Sequence, residues 1–466
     1  MTRRTRSIVA GVLIVGAAVA AFVAFTGGDG SADSATTAPA AVATPLWSVR
    51  RVPEPVVEAV GAQRLQGALD AAAPGDGTCF VVKAGGRTLA AHASDAPLIG
   101  ASTQKLLVAA AALATLGGDA HFTTRAVAPA APVDGRVDRL WLVGGGDPVL
   151  ATGDYSAFLQ SQGKTKGDAT TSLETLADAI VSKGVRAIPG GVIGDDSRYD
   201  QQRSVSTWKD SYRTSGDVGP LGALTVNDGF SSWSPSVKVP VDDPARNAAA
   251  TLTELLRARG VDVGSADVGT APASTVEVAQ VTSPDLRAIV ASMLSSSDNL
   301  TAELLTKELG YHEAKTGTTA AGVTAVVAKL RELGVPIADG ALHDGSGLDR
   351  GNRVSCDVLV ATLALAARPE LATLYDGLPV AGQTGTLHDQ FLGTSLVGNL
   401  RGKTGSLDGV SGLAGVLDLG GRVQFAFLDN GSFTELEGAG LRVGIGEIIG
   451  RYPDAPTVDA LVPAPQ

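Results

Sequence analysis

The stretch STQKLLVAAAALATLGG, residues 102–118, decides the fold. A serine stands at its start, alanines and leucines fill its body, and two glycines end it, which is the pattern of a helix with start and stop signals. The helix is apolar nearly all round, so we expect it to be buried. Ser102 and Lys105 lie three residues apart, so both side chains project on one face at the start of this helix.

A serine beside a lysine at a helix start can act as an activated nucleophile. The free N–H groups and the dipole of the helix N-terminus favour the negative charge that develops in acyl transfer. The S-x-x-K spacing alone is weak evidence, because it recurs at Ser161 with Lys164 and at Ser206 with Lys209. The first recurrence lies in a polar loop, and no apolar helix follows the second. The sequence therefore favours Ser102 as the nucleophile.

Two further motifs follow later in the chain. Ser297-Asp298-Asn299 is the only S-x-N and lies inside or between helices, with a serine run on a solvated helix face as the alternative interpretation. Lys403-Thr404-Gly405 lies between segments that alternate like paired strands, which predicts a position on a sheet edge. The small Gly405 is predicted to let a substrate backbone approach closely. A second K-T-G begins at Lys315, and we interpret it as a loop at a helix end.

The flanking segments predict a mixed fold. CFVVKAGGRTLAAHA, residues 79–93, predicts a β hairpin around its two glycines. Helical periodicity returns at residues 242–260 and 283–310, and the tail has strands broken by glycine turns before a closing helix. The roughly 120 residues that follow the first helix contain many short strand-like pieces. We therefore expect an α+β fold, an antiparallel sheet flanked by helices, with an inserted β-rich lobe.

Composition excludes several classes of protein. The chain has 466 residues and 44% hydrophobic content, which fits two or three folded domains. A formal charge of −11 without a basic block argues against nucleic acid as a partner. There is no H-E-x-x-H and no C-x-x-C, and the five histidines are scattered, so neither a metal nor another cofactor is predicted.

The N-terminus predicts a membrane anchor. Arg3, Arg4 and Arg6 precede the uncharged residues 7–26, which would span roughly 30 Å of hydrocarbon as a helix, with the rest of the chain outside the cytoplasm. A cleaved signal peptide is the alternative, although its apolar core is usually about 7–15 residues long. In such a compartment Cys79 and Cys356 either form a disulfide or remain two separate buried thiols.

The predicted organisation has six parts. They are a cytoplasmic tip at 1–6, the anchor or signal segment at 7–26, a flexible linker at 27–51, a discontinuous domain at 52–119 and 242–456, an accessory lobe at 120–241, and a tail at 457–466.

Serine-lysine, S-x-N and K-T-G in this order resemble the three motifs of the penicillin-recognising serine acyltransferases. Other stretches, among them ASTQKLL, GGGDP, DDSRYD, VNDG, HDGSGLDRGNRVS and GNLRGKTGSLDGVSGLAG, are similar to the D-alanyl-D-alanine carboxypeptidase/endopeptidase family. These low-molecular-mass penicillin-binding proteins have a large insertion after the first motif. The resemblance covers roughly residues 52–452 and departs from the family at Gly100, usually proline, and at Ser406, usually threonine.

The resemblance implies the penicillin-binding/β-lactamase-like transpeptidase fold and an extracytoplasmic enzyme of the bacterial cell envelope. Its expected activity is serine-type D-Ala-D-Ala carboxypeptidase, with DD-endopeptidase activity left open, on peptidoglycan stem peptides, and β-lactams would be covalent inhibitors. The inserted lobe would tune which wall peptides are admitted. The alternatives are a β-lactamase, which typically lacks so large a lobe, and a non-catalytic penicillin-binding module, which would not need all the reactive residues.

The resemblance also implies roles for single residues. Ser102 would be the nucleophile, Lys105 its general base, and Ser297 with Lys403 the relay that protonates the leaving D-alanine. Substrate contacts are implied for the following residues: Asn299 on the amide, Thr404 and Ser406 on the terminal carboxylate, Gly405, and, with turn or structural roles as the alternative, Asp147 and Arg350. The backbone N–H groups of Ser102 and Ser406 would form the oxyanion hole. As a base near pH 7, Lys105 must have a pKa about three units below its usual ~10.4, which burial and the charge of Lys403 favour.

Overall fold

The computed structural model describes residues 54–73, 75–418 and 421–454. The predicted tip, anchor, linker and tail lie outside these residues. Among the described residues, no single helix is long and apolar enough to cross a membrane. Two consecutive helical segments, Cys356–Ala367 and Pro369–Asp376, meet the criteria only as a pair, and they are bent by 118°.

The helices within these ranges are α1 (Glu54–Ala72), α2 (Lys105–Leu116), α3 (Gly153–Ser161), α4 (Leu173–Ser182), α5 (Ser211–Thr214), α6 (Pro244–Ala258), α7 (Leu286–Ser296), α8 (Asn299–Ala314), α9 (Thr319–Glu332), α10 (Cys356–Ala364), α11 (Thr373–Asp376) and α12 (Glu435–Gly450). The strands are β1 (Thr78–Ala84), β2 (Arg87–His92), β3 (Thr123–Ala128), β4 (Leu140–Val143), β5 (Leu150–Ala151), β6 (Thr171–Ser172), β7 (Ala187–Ile188), β8 (Val192–Asp195), β9 (Phe230–Trp233), β10 (Lys238–Pro240), β11 (Asp262–Val263), β12 (Asp267–Val268), β13 (Val276–Thr282), β14 (Leu400–Leu407), β15 (Val410–Asp418) and β16 (Arg422–Asn430).

The first sheet is antiparallel and has the strand order β14-β15-β16-β1-β2. Strands β1 and β2 form the predicted hairpin, and both turn glycines, Gly85 and Gly86, have positive φ. Such a turn matches the twist of the strands and needs residues without a Cβ. Strand β14, which carries Lys403-Thr404-Gly405, lies at the edge of this sheet, as the alternating pattern predicts.

Helices cover both faces of this sheet. Successive residues of β1 point to opposite sides, so Val81 joins the core around α2 while Phe80 and Val82 join the core under α1 and α12. Every side chain from Leu106 to Ala112 in α2 is fully buried. The prediction of a buried apolar helix is therefore confirmed, and this burial fixes the position of the residues at its start.

A disulfide joins Cys79 of β1 to Cys356, the first residue of α10. Both residues are fully buried in the core that contains α2. Of the two alternatives that the sequence left open, the structure shows the bridge. It ties the sheet to a helix 277 residues further along the chain.

The second sheet belongs to the insertion. It has the order β12-β8-β4-β3-β13, with parallel pairs from β12 to β4 and antiparallel pairs from β4 to β13. Helices α4 and α6 pack on it and supply nine apolar side chains of a separate core. Its strands run from Thr123 to Thr282, beyond residue 241, where the sequence analysis ended the lobe.

Candidate active site

Ser102 lies in a 3-10 turn, Ala101–Gln104, that leads directly into α2. Ala101 has a φ of 45°, a backbone conformation that costs energy for a residue with a Cβ and is typical of functional sites. The turn is held by Thr103, which donates to the Gly100 carbonyl at 2.7 Å, and by Gln104, which donates to the Asp344 carbonyl at 2.6 Å. Ser102 is therefore positioned by a strained turn, whereas the sequence predicted a regular helix start.

Lys105 is fully buried, and its Nζ lies at the centre of the site. It is 2.8 Å from Ser102 Oγ, 2.6 Å from Asn299 Oδ1 and 2.6 Å from the Ser346 carbonyl oxygen. Burial, with a smaller contribution from the charge of Lys164, lowers the pKa of this lysine to about 7, against the opposing carboxylates of Asp298, Asp344 and Glu303. A large fraction of Lys105 is therefore neutral at pH 7.

The S-x-N motif forms the turn between α7 and α8. Ser297 adopts the left-handed conformation with a φ of 63°, and Asp298 caps α8 by accepting the Thr301 amide at 2.6 Å. Asn299 accepts from Lys105 through Oδ1, and its Nδ2 donates at 2.8 Å to the backbone carbonyl of Asp217, which belongs to the inserted lobe. The motif thus faces the lysine and is not a serine run on a solvated helix face.

The K-T-G motif lies on β14, where successive side chains alternate between two faces. Lys403 is fully buried and donates to the Thr404 carbonyl at 3.0 Å. Burial, with the charges of Lys105, Lys164 and Arg442, holds the pKa of Lys403 well below its usual value. Thr404 and Ser406 share the other face, and the Thr404 hydroxyl donates to that of Thr386 at 3.0 Å. We call the space bounded by Ser102, the S-x-N turn and β14 the cleft.

The structure gives a different reason for Gly405 than the predicted approach of a substrate backbone. A Cβ on Gly405 would lie 2.5 Å from the Gly100 carbonyl oxygen and 3.1 Å from Cγ2 of Thr103. Both contacts belong to the turn that carries Ser102. The glycine therefore allows β14 to pack directly against the nucleophile turn.

A second group of residues supports Lys105, and the sequence analysis assigned it no role. Glu303 is fully buried, and its Oε1 accepts the amides of Gly345 at 3.0 Å and Ser346 at 2.6 Å. Burial, and then the charge of Asp344, raise the pKa of Glu303 to about 8. These bonds fix the Ser346 carbonyl that accepts from Lys105. A carboxylate four residues after Asn299, on the same face of the helix, is the sequence signal that could have revealed Glu303.

The same loop is wrapped around the carboxylate of Asp344. Its oxygens accept the amides of Gly347 at 2.9 Å and Asp349 at 2.6 Å, the Asn352 amide group at 2.8 Å and the Trp208 indole N–H at 2.8 Å. These contacts give a structural role to the stretch HDGSGLDRGN, residues 343–352, which in the sequence is only part of the family resemblance. It builds a rigid loop that places one carbonyl on the lysine.

The structure places the remaining candidates elsewhere. Asp147 is only 2% exposed and accepts the Val149 amide at 3.0 Å in a local turn of the lobe, so it is not brought to this group. Burial raises its pKa to about 6. Arg350 donates to the Asp408 carbonyl at 3.0 Å, just beyond the end of β14. Lys315 ends α8 with a φ of 54°, in agreement with its interpretation as a loop.

Known proteins resemble the chain over most of its length. It matches the D-Ala-D-Ala carboxypeptidase 3 (S13) family over residues 65–234 and 231–448. Carboxypeptidase Rv3627c of Mycobacterium tuberculosis is 34% identical over 355 residues, 74% of each chain. D-alanyl-D-alanine carboxypeptidase of an Actinomadura species is 30% identical over 434 residues, covering 76% of this chain and 77% of that protein.

Solved structures confirm the predicted fold. Penicillin binding protein 4 of Haemophilus influenzae superposes with a TM-score of 0.68 at 21% identity, covering 84% of this chain and 99% of that one. The fold is accordingly the α+β fold of the penicillin-binding proteins. The chain belongs to the D-Ala-D-Ala carboxypeptidase 3 (S13) family and is a serine-type carboxypeptidase.

Proposed function

We propose that this protein removes the terminal D-alanine from peptidoglycan stem peptides through an acyl-enzyme on Ser102, and that β-lactams acylate the same serine. The observation that carries the proposal is the fully buried amine of Lys105, 2.8 Å from Ser102 Oγ. The names of the relatives support the substrate class, and a solved relative, penicillin binding protein 4 of Haemophilus influenzae, was crystallised with a β-lactam.

The partners of Lys105 direct its lone pair toward the serine. A neutral amine has two N–H groups and one lone pair. The Asn299 side-chain oxygen and the Ser346 carbonyl oxygen can only accept, so they take the two N–H groups. The lone pair is left for the hydroxyl of Ser102. Lys105 takes the hydroxyl proton while Oγ forms a bond to the carbonyl carbon of the penultimate D-alanine.

The remaining steps use the other two motifs. The backbone N–H groups of Ser102 and Ser406 stabilise the oxyanion of the tetrahedral intermediate. Ser297 and Lys403 pass a proton to the nitrogen of the leaving D-alanine as the peptide bond breaks. Thr404 and Ser406, on the cleft face of β14, hold its terminal carboxylate. Water then attacks the ester at Ser102 and releases the shortened peptide.

Asn299, Arg350 and the lobe serve substrate recognition in this proposal. The free N–H of Asn299 Nδ2 binds the amide of the substrate, and Arg350 lies at the Asp408 end of the cleft, where it meets the more distant part of the stem peptide. The lobe, which we extend to residue 282 on the basis of its sheet, tunes which wall peptides enter. Gly405 acts through packing, and Asp147 keeps a structural role.

The location is part of the proposal. The run of uncharged residues at 7–26 after three arginines supports anchoring of the enzyme to the outer face of the plasma membrane. The disulfide between Cys79 and Cys356 supports an extracytoplasmic compartment. Carboxypeptidase activity comes first in this proposal, and endopeptidase activity uses the same acyl-enzyme chemistry on cross-linked peptides.

The direct test of the function is release of D-alanine. We expect the purified protein to release D-alanine from a synthetic peptide that ends in D-Ala-D-Ala, and not from one that ends in D-Ala-L-Ala. The Ser102→Ala variant should release none. A protein that binds penicillin without hydrolysing the peptide would instead be a non-catalytic binding module, and one that hydrolyses penicillin much faster than the peptide would be a β-lactamase.

The rate of acylation should depend on pH through Lys105. Its pKa is about 7 because of burial, and only the neutral amine can take the proton of Ser102. As pH falls below 7 the ammonium form predominates, so we expect the second-order rate of penicillin acylation to fall about tenfold per pH unit below about pH 6 and to level off above about pH 8. The measurement is the rate of labelling between about pH 5 and about pH 9. A flat profile over this range would refute Lys105 as the base.

A further inference from the structure

A short loop of the lobe, residues 161–168, reaches the cleft. It follows α3 and is polar throughout. The side chain of Gln160 accepts the Gly167 amide at 2.9 Å and donates to the Asp168 carbonyl at 3.1 Å. These bonds hold the two ends of the loop together, so it forms a compact projection. We call residues 161–168 the strap.

The strap lies between the two segments that lead to the walls of the cleft. Just after it, the Ala169 amide donates to the Ser292 hydroxyl at 2.8 Å on α7, the helix that leads to the S-x-N turn. At its tip, a Cβ on Gly163 would lie 3.2 Å from the ring atoms Cε1 and Nδ1 of His388. His388 is two residues after Thr386, whose hydroxyl accepts from Thr404 of the K-T-G motif. The strap thus bridges the S-x-N wall and the K-T-G wall.

Behind the strap lies a small polar cavity of about 190 Å³. Lys164 and Asp168 of the strap line it together with Ser297 and Asn299 of the S-x-N motif. Lys164 thus shares this cavity with two residues of the S-x-N motif. Within the described residues, Lys164 forms no ion pair and no side-chain hydrogen bond. The amine of Lys164, whose pKa is lowered by burial, is therefore available to a ligand.

The chemistry of the leaving group identifies this end of the cleft. In the proposed function, which this inference rests on, Thr404 holds the carboxylate of the leaving D-alanine. The neighbouring Thr386 and His388 therefore lie on the leaving-group side, beside Gly163 of the strap.

We propose that the strap closes the leaving-group end of the cleft and restricts the leaving group to a single free amino acid. A stem peptide with a free D-Ala-D-Ala end needs room for only one amino acid at this end of the cleft. In a cross-linked substrate the leaving group carries a second stem peptide, which must displace the strap. The strap therefore makes the enzyme a carboxypeptidase in preference to an endopeptidase.

The test is a strap deletion in the full chain, with residues 162–166 replaced by two glycines. The substrates are a synthetic peptide ending in D-Ala-D-Ala and a purified cross-linked dimer of stem peptides. We expect the ratio of cross-link cleavage to D-alanine release to rise about tenfold or more, and the rate of penicillin acylation is measured alongside to show that the variant is folded. Lys166→Ala, on the strap but outside the cavity lining, is the matched control and should leave the ratio unchanged.

A point variant covers the case in which the deletion does not fold. Ser292→Ala removes the hydrogen bond that anchors the strap and should raise the same ratio about twofold or more. An unchanged or lower ratio, in a variant that penicillin still acylates at the normal rate, overturns the strap proposal alone. Absence of both D-alanine release and penicillin acylation in the unmodified protein overturns the proposed function and the strap proposal with it.

Discussion

Lys105→Met is expected to slow acylation by about 10³-fold, because methionine fills the same buried space without an amine. Lys105 is fully buried, so its replacement by a shorter side chain would leave a cavity beside Ser102. Methionine keeps the packing of α2 and isolates the loss of the base. The measurement is the second-order rate of labelling with a fluorescent penicillin, together with the rate of D-alanine release.

The matched control for this variant is Lys209→Met. Ser206 and Lys209 have the same spacing as Ser102 and Lys105. Lys209 lies in a loop, exposed, and its Nζ is 3.7 Å from the Asp408 carboxylate, a surface pair of little energetic weight. We expect its substitution to change the acylation rate by less than about threefold. Equal losses in the two variants would mean that Lys105 is not the base.

Lys403→Ala is expected to cost about 10² or more in acylation, whereas Lys315→Ala should be nearly silent. Both lysines begin a K-T-G. Lys403 is fully buried on β14, next to the turn that carries Ser102, while Lys315 caps the end of α8 with its Nζ over the ring of Tyr311 at 5.6 Å. The rates of penicillin labelling of the two purified variants decide between them, and comparable losses would show that the wrong K-T-G had been assigned.

The sequence could reveal the reactive groups because each is marked by its local context. The buried helix after Ser102, the turn at Ser297 and the edge strand at Lys403 follow from hydrophobic periodicity and glycine positions. Each motif also has a decoy or an alternative that context removes. These features depend on residues near one another in the chain, which is why one sequence is sufficient to predict them.

The supporting residues depend on distant contacts, and the sequence did not reveal them. Glu303 acts on Lys105 through the loop at Ser346, 43 residues further along the chain. Gly405 is explained by its approach to the Gly100 carbonyl, about 300 residues earlier. Hydrophobic periodicity within a segment carries no information about contacts between residues so far apart in the chain. The reason first given for Gly405, a close substrate backbone, was plausible on a strand but missed the turn packed against that face.

The lobe has a closer relation to the site than its composition indicated. None of the reactive residues Ser102, Ser297 and Lys403 lies in the lobe. The backbone of Asp217 nevertheless orients Asn299, and Lys164 of the strap lines a cavity together with Ser297 and Asn299. The S-x-x-K at Ser161, dismissed as a nucleophile, thus contains a lysine that borders the cleft.

The most direct test of the central claim is to locate the penicillin adduct by mass spectrometry. Trypsin cleaves after Arg87 and Lys105, so the claim predicts the added mass of one penicillin on the peptide of residues 88–105. Fragment ions should place it on Ser102 rather than on Ser94, the other serine of that peptide. An adduct on Ser94, or on a peptide that contains Ser161 or Ser206, would contradict the account.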